Sequence, residues 1–305
     1  MDEGLSERLV DALTALYGLH AGYRAAHATG VLCAATFSAT AQAGELSRAV
    51  HLQGEPTRAH VRFSNGNGDP TVPDKVRDGR GMAVKFYLPD GTTTDIVALS
   101  VPVFFARTPE DFLAFTHARV PDPETGKPDL TKVGAYLDEH PEAMAAVSAG
   151  LTHPIPASFL TTAYHGVHAF GFVDRDDRLR HGRYHLVPDE GEVAVPDDER
   201  KGLAPDYLRR DLVDRLDVGS GLFHLDLQLA AAEDPLTDPT AEWPEDREVV
   251  RLGQLRIDAL AFDREHEGDV LVFDPTRVTD GIVLTDDPIL HARRGAYSVS
   301  VARRT

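Results

Sequence analysis

The sequence predicts an α+β fold: a closed antiparallel β-barrel with helices attached. Three observations predict it. Short segments alternate apolar and polar residues and are joined by tight-turn signals. Helical stretches are inserted between them. No internal repeat and no glycine signature of a dinucleotide-binding β-α-β unit interrupts the series. The 305 residues are read as one domain, 1–305, because the proline-rich stretches Pro121–Pro128 and Pro235–Pro244 are too short to be interdomain linkers.

The elements follow in order. Leu9, Val10, Leu13, Leu16 and Tyr17 form a helical stripe within Leu5–Leu19, ended by Gly18 and Gly22. An extended segment begins near Gly30. In His60–Ser64, Val61 and Phe63 face one way and His60, Arg62 and Ser64 the other. Met82–Leu88 is a second strand closed by the turn Pro89-Asp90-Gly91, and Asp95–Leu99 is its return. Thr108-Pro109-Glu110-Asp111 supplies an N-cap, a first-turn proline and acids at the positive end of a helix dipole. Leu130–Gly150 reads as further helix, with Pro141 starting a new segment. A second β-rich block covers Gly166–Leu186, Pro205–Leu212 is helical, and Leu222–Leu229 alternates as a strand.

Composition bounds the partners. With 31 basic against 49 acidic residues the net charge is −18, which argues against a nucleic acid. The acidic groups in Asp189–Glu199 and Glu233–Glu248 read as solvated loops. No apolar run reaches membrane-spanning length. The acidic start Met1-Asp2-Glu3-Gly4 is unlike a secretory signal, so the expected location is the cytoplasm. Cys33 is the single cysteine and reads as a small buried hydrophobe.

Several motifs fail on context. Asn65-Gly66-Asn67-Gly68 lacks a third glycine, Gly126-Lys127 has no phosphate-loop start, and His181 and His185 sit four apart on a strand. No nucleophile elbow supports a serine triad.

Two stretches carry chemistry instead. Arg24-Ala25-Ala26-His27-Ala28-Thr29-Gly30 places a guanidinium and an imidazole before a strand, and Arg293 precedes Tyr297 by four residues. A phenol beside a guanidinium suits a ferric ligand, and an imidazole suits the acid–base work of peroxide cleavage, so together they suggest a haem pocket.

In their order along the chain, these blocks resemble the haem catalase family, in particular its short, core-only branch of catalase-related peroxidases. The resemblance rests on Arg24–Gly30, Val61-Arg62-Phe63-Ser64, Arg77–Tyr87, Pro102-Val103-Phe104-Phe105, Tyr164–Phe170, and Gly281-Ile282 through Asp287-Pro288 to Arg293 and Tyr297. It implies haem b as cofactor. His27 would be the distal acid–base and Ser64 the hydroxyl that orients it. Tyr297 would be the iron ligand with Arg293 as its charge partner. Arg24, Arg62 and Arg304 would meet the haem propionates, and Phe104 and Phe112 would pack around the macrocycle. Without the resemblance, Arg24 and Arg62 would read as surface ion pairs and Phe104-Phe105 as strand core.

Two positions depart from the catalases. Leu99 stands where the family's true catalases place a distal asparagine, and Gly66 where they carry a bulkier apolar residue that would narrow the approach. The expectation is a peroxidase that reduces hydrogen peroxide or organic hydroperoxides with electrons from a small organic reductant, with weak or no dismutation of peroxide. Two alternatives stand beside it: rearrangement of a lipid hydroperoxide, as in catalase-like allene oxide synthases, and a non-enzymatic haem carrier or sensor. A homo-oligomer is left open, and the lack of a long N-terminal arm and C-terminal extension weakens the case for the interlocked tetramer of large catalases.

Overall fold

Period-two segments fold as strands and the inserted helical stretches as helices. The structure is a computed structural model describing residues 3–262 and 270–304; Met1 and Asp2 of the acidic start lie outside the described residues. The elements are α1 (Glu3–Tyr17), β1 (Gly30–Ala39), α2 (Ala41–Leu46), β2 (Thr57–Asn65), β3 (Arg80–Tyr87), β4 (Thr93–Leu99), α3 (Pro109–Ala118), α4 (Leu130–Glu139) and α5 (Met144–Thr152). They continue as β5 (Tyr164–His165), β6 (Phe170–Val173), β7 (Leu179–Pro188), α6 (Tyr207–Val218), β8 (Gly221–Leu229), β9 (Val249–Leu260), β10 (Ile282–Leu284) and α7 (Pro288–Ala302).

Antiparallel pairing runs β1–β2–β3–β4–β5–β7–β8–β9 and returns to β1, closing an eight-stranded barrel, with β6 and β10 as an appended ribbon on β7. Closure leaves no free edge along the ring. Phe37, Phe63, Phe86 and Phe223 fill the interior, and Phe63 stacks on Phe159 with centroids 5.5 Å apart. Cys33 is fully buried, as expected, and burial pushes its thiol up to about 12.

Local signals explain the helical layer. Thr108 and Asp111 form a reciprocal capping box at the start of α3, worth about 1 kcal/mol. Pro141 opens a short 3-10 turn that separates α4 from α5. The Pro205–Leu212 helix begins later and runs longer, as α6. α1 packs against α3 and α7, so its apolar stripe faces other helices and the space between them rather than the barrel interior.

Other expectations are corrected. Arg62, which would read as a surface residue without the resemblance, is buried with Ser64, Val61 and Phe63. Phe104 and Phe105 lie in the connection after β4, not in a strand. Asp234, within an acidic run expected to be solvated, is buried and held by Arg247 at 2.8 Å.

A buried ion pair staples β3 to β4. Lys85 Nζ donates to both oxygens of Asp95 at 2.6 and 2.8 Å, and the Asp274 backbone N–H and Arg277 add donors at 2.8 and 2.6 Å. Removing the carboxylate leaves Lys85 buried and unpaired. Asp95→Ala is expected to lower stability by about 3–5 kcal/mol in urea unfolding.

Candidate active site

The helical layer and one mouth of the barrel enclose a cavity of about 580 Å³. All nine side chains singled out in the sequence line it: Arg24, His27, Arg62, Ser64, Phe104, Phe112, Arg293, Tyr297 and Arg304. They come from the turn before β1, from β2, from the β4–α3 connection, from α3, and from α7 and the residues just after it.

His27 sits with φ +56°, a left-handed conformation uncommon for a residue with a side chain. Backbone bonds hold it there: its N–H donates to Gly66 O at 3.1 Å and that of Ala28 to Asn67 O at 2.9 Å. Arg62 Nη2 also donates to the carbonyls of His27 and Ala28, at 3.0 and 3.3 Å. Arg62 therefore clamps the His27 turn, a task that its reading as a propionate partner did not include. Arg24 likewise donates to Leu271 O at 2.9 Å.

Ser64 Oγ lies 3.0 Å from His27 Nδ1, so Nε2 is the nitrogen left to the cavity. The imidazole is lowered to about 3, first by burial and then by the charges of Arg62, Arg293 and Arg24, and is neutral at ordinary pH. Gly81 on β3 makes room for the pair: a β-carbon there would fall 2.7 Å from Ser64 Oγ and 2.9 Å from His27 Nδ1.

On α7, Arg293 and Tyr297 share a face through their i,i+4 spacing. Arg293 Nε donates to the Tyr297 hydroxyl oxygen at 2.9 Å, leaving that oxygen lone pairs to offer a metal. Arg293 Nη1 lies 2.9 Å from His168 Nε2, and His168 Nδ1 lies 2.6 Å from Asp287 Oδ2. Because arginine can only donate, Nε2 of His168 accepts and its Nδ1–H points to Asp287. Burial lowers the His168 pKa, consistent with this neutral tautomer. The other oxygen of Asp287 caps α7 by accepting from Ile289 N and Leu290 N, at 2.8 and 3.1 Å.

Sequence reasoning gave no role to His168, Asp287, Gly81 or Asp78. His168 and Asp287 lie inside blocks already noted, and Asp287-Pro288 is a helix-start signal, but no spacing joins position 168 to 287. Asp78 corrects the reading of Gly66. A β-carbon on Gly66 would fall 2.8 Å from Asp78 Oδ1 and from Gly79 O, so the missing side chain is replaced by a buried carboxyl rather than by open space. Burial raises the pKa of Asp78, and its Oδ2 has no hydrogen-bond partner among the described residues.

Residues 9–305 match the family described as Catalase. The chain belongs to the catalase family. It is 40% identical to a catalase-related peroxidase of Mycolicibacterium paratuberculosis, over all of this chain and 96% of that protein. It is 31% identical to one of Synechococcus elongatus, over 98% of this chain and 88% of the relative. Against Catalase-2 of Bacillus subtilis it is 30% identical over 90% of this chain but only 43% of that protein. A fungal and a bacterial catalase of known structure superpose with a TM-score of 0.83 each at 25% identity, covering 92% and 93% of this chain and 59% and 58% of theirs.

Catalase membership implies a haem cofactor, and the donor set fits one. An imidazole and a phenol line one cavity, six guanidinium groups (Arg24, Arg62, Arg77, Arg119, Arg293 and Arg304) surround it, and apolar side chains such as Leu13, Leu16, Phe104 and Phe112 remain half-buried around it. Gly81→Ala is expected to break the His27–Ser64 contact and to slow reaction with peroxide at least tenfold in stopped-flow absorbance.

Proposed function

We propose that this member of the catalase family is a haem b peroxidase. It reduces hydrogen peroxide or organic hydroperoxides with electrons from a small organic donor, and dismutes peroxide weakly or not at all. One observation carries the reading: the cavity holding the His27 imidazole and the Tyr297 phenol is walled at position 99 by leucine. The relatives named catalase-related peroxidase support it. We read residues 1–305 as a single unit and place it in the cytoplasm.

A bound haem would supply an iron that takes up the peroxide and the electrons that break its O–O bond. Tyr297 would be the ligand to that iron, with Arg293 facing its oxygen. Arg24, Arg62 and Arg304 would meet the propionates. His27 Nε2 would accept the proton of the incoming hydroperoxide and return it to the departing oxygen, while Ser64 holds the ring. The net change is ROOH + 2 H⁺ + 2 e⁻ → ROH + H₂O, the electrons and protons coming from the organic donor. Phe104 and Phe112 would exclude water from the oxidant.

Leu99 pairs in register with Gly81 across β3 and β4, next to the glycine that accommodates His27. A leucine offers no donor to hold a second peroxide, and one preorganised donor is worth about a hundredfold in rate. Leu99→Asn is therefore expected to raise oxygen release from hydrogen peroxide about tenfold or more, while dye oxidation persists. Unchanged oxygen release in an oxygen-electrode assay would refute this account.

The low pKa of His27 sets a second expectation. The imidazole remains deprotonated, and so able to accept a proton, throughout the range above about 3. The pH profile of kcat/KM for peroxide should show no acid limb near 6.5, and an inflection there would mean that the ring is solvated.

A further inference from the structure

We propose that Asp111, His140 and Glu142 form a binding site for a divalent first-row transition-metal ion, separate from the haem cavity. His140 Nδ1 lies 3.4 Å from Glu142 Oε1 and 3.9 Å from Asp111 Oδ1, and the three ligand atoms all lie within 4.8 Å of one another. An ion about 2.0–2.2 Å from each ligand would draw the three atoms to roughly 3–3.5 Å from one another, a movement within reach of partly exposed side chains. One imidazole with two carboxylates is a donor set suited to such ions.

The site is partly built in advance. Asp111 uses Oδ2 to accept from the Thr108 backbone N–H at 3.1 Å, which fixes the carboxylate and leaves Oδ1 toward His140. His140 ends α4 and stacks on Tyr136, with centroids 4.3 Å apart and planes 19° apart. Glu142 lies two residues on, in the 3-10 turn opened by Pro141. Arg107 reaches Glu142 Oε1 at 2.9 Å, but its side chain is 47% exposed and has a second acceptor, Asp238, at 3.5 Å. An incoming cation can therefore displace it without stranding a buried charge.

Tyr136 forms one wall of the site, its ring packed against that of His140. It is only 7% exposed, and its contacts are ring stacking on His140 and Phe115, with no hydrogen bond from its hydroxyl among the described residues.

The test is calorimetric titration of the haem-loaded, EDTA-dialysed full chain with MnCl₂ and, separately, ZnCl₂. One saturable event per chain is expected, weakened at least tenfold in Glu142→Gln and in His140→Gln. Glu142→Gln keeps the shape of the side chain and removes a ligand charge, so folding should survive. No saturable one-to-one event in the wild type, or an affinity unmoved by both substitutions, overturns the proposal.

Discussion

One buried carboxylate couples the helical layer to the barrel. Asp287 caps α7 with one oxygen and takes a hydrogen bond from His168 with the other. His168 precedes β6, on the ribbon appended to the barrel, so the start of α7 is anchored to the sheet through one imidazole. The orientation of that imidazole then dictates what Arg293 does, and Arg293 dictates the donor that Tyr297 sees. A charge-assisted bond in a dry setting is strong when every member is satisfied and costly when one is not. The direction of the phenol is thus inherited through three side chains from the geometry of a helix cap.

The other side of the cavity obeys a steric constraint. His27 and Ser64 can meet only because β3 offers no side chain at position 81. The left-handed backbone at His27 is held by the loop that follows β2 and by Arg62, so the imidazole is positioned from two directions. Strain of this kind persists where its surroundings over-determine it.

Much of this was legible in the sequence. The β2, β3 and β4 segments announced themselves by alternation and by Pro89-Asp90-Gly91, and α3 by its cap and proline. Less visible were β9, where charged residues at 251 and 256 dilute the apolar pattern, and α7, where Arg293, Arg294 and Gly295 interrupt the apolar series begun by Ile289 and Leu290. Within the site, residue types at quoted positions were readable because they stand in short blocks. What could not be read was how distant blocks meet. Nothing in one dimension says that His168 will bridge Asp287 and Arg293, that Asp78 will fill the space beside Gly66, or that Arg62 will spend one nitrogen on backbone carbonyls. Those are products of barrel closure.

The two halves of the cavity come from opposite regions of the chain, His27 and Tyr297 being 270 positions apart (297 − 27). Bringing such distant segments together carries a loop-closure entropy of about 5 kcal/mol, from (3/2)RT ln n. Packing of α1 on α7 and the Asp287–His168 anchor must offset it. A molecule that touches both halves acts as a reversible cross-link, and its contribution grows as RT ln(1 + [L]/Kd). Supply of the prosthetic group and maturation of the polypeptide are thereby thermodynamically linked, so scarcity of one should be felt as fragility of the other.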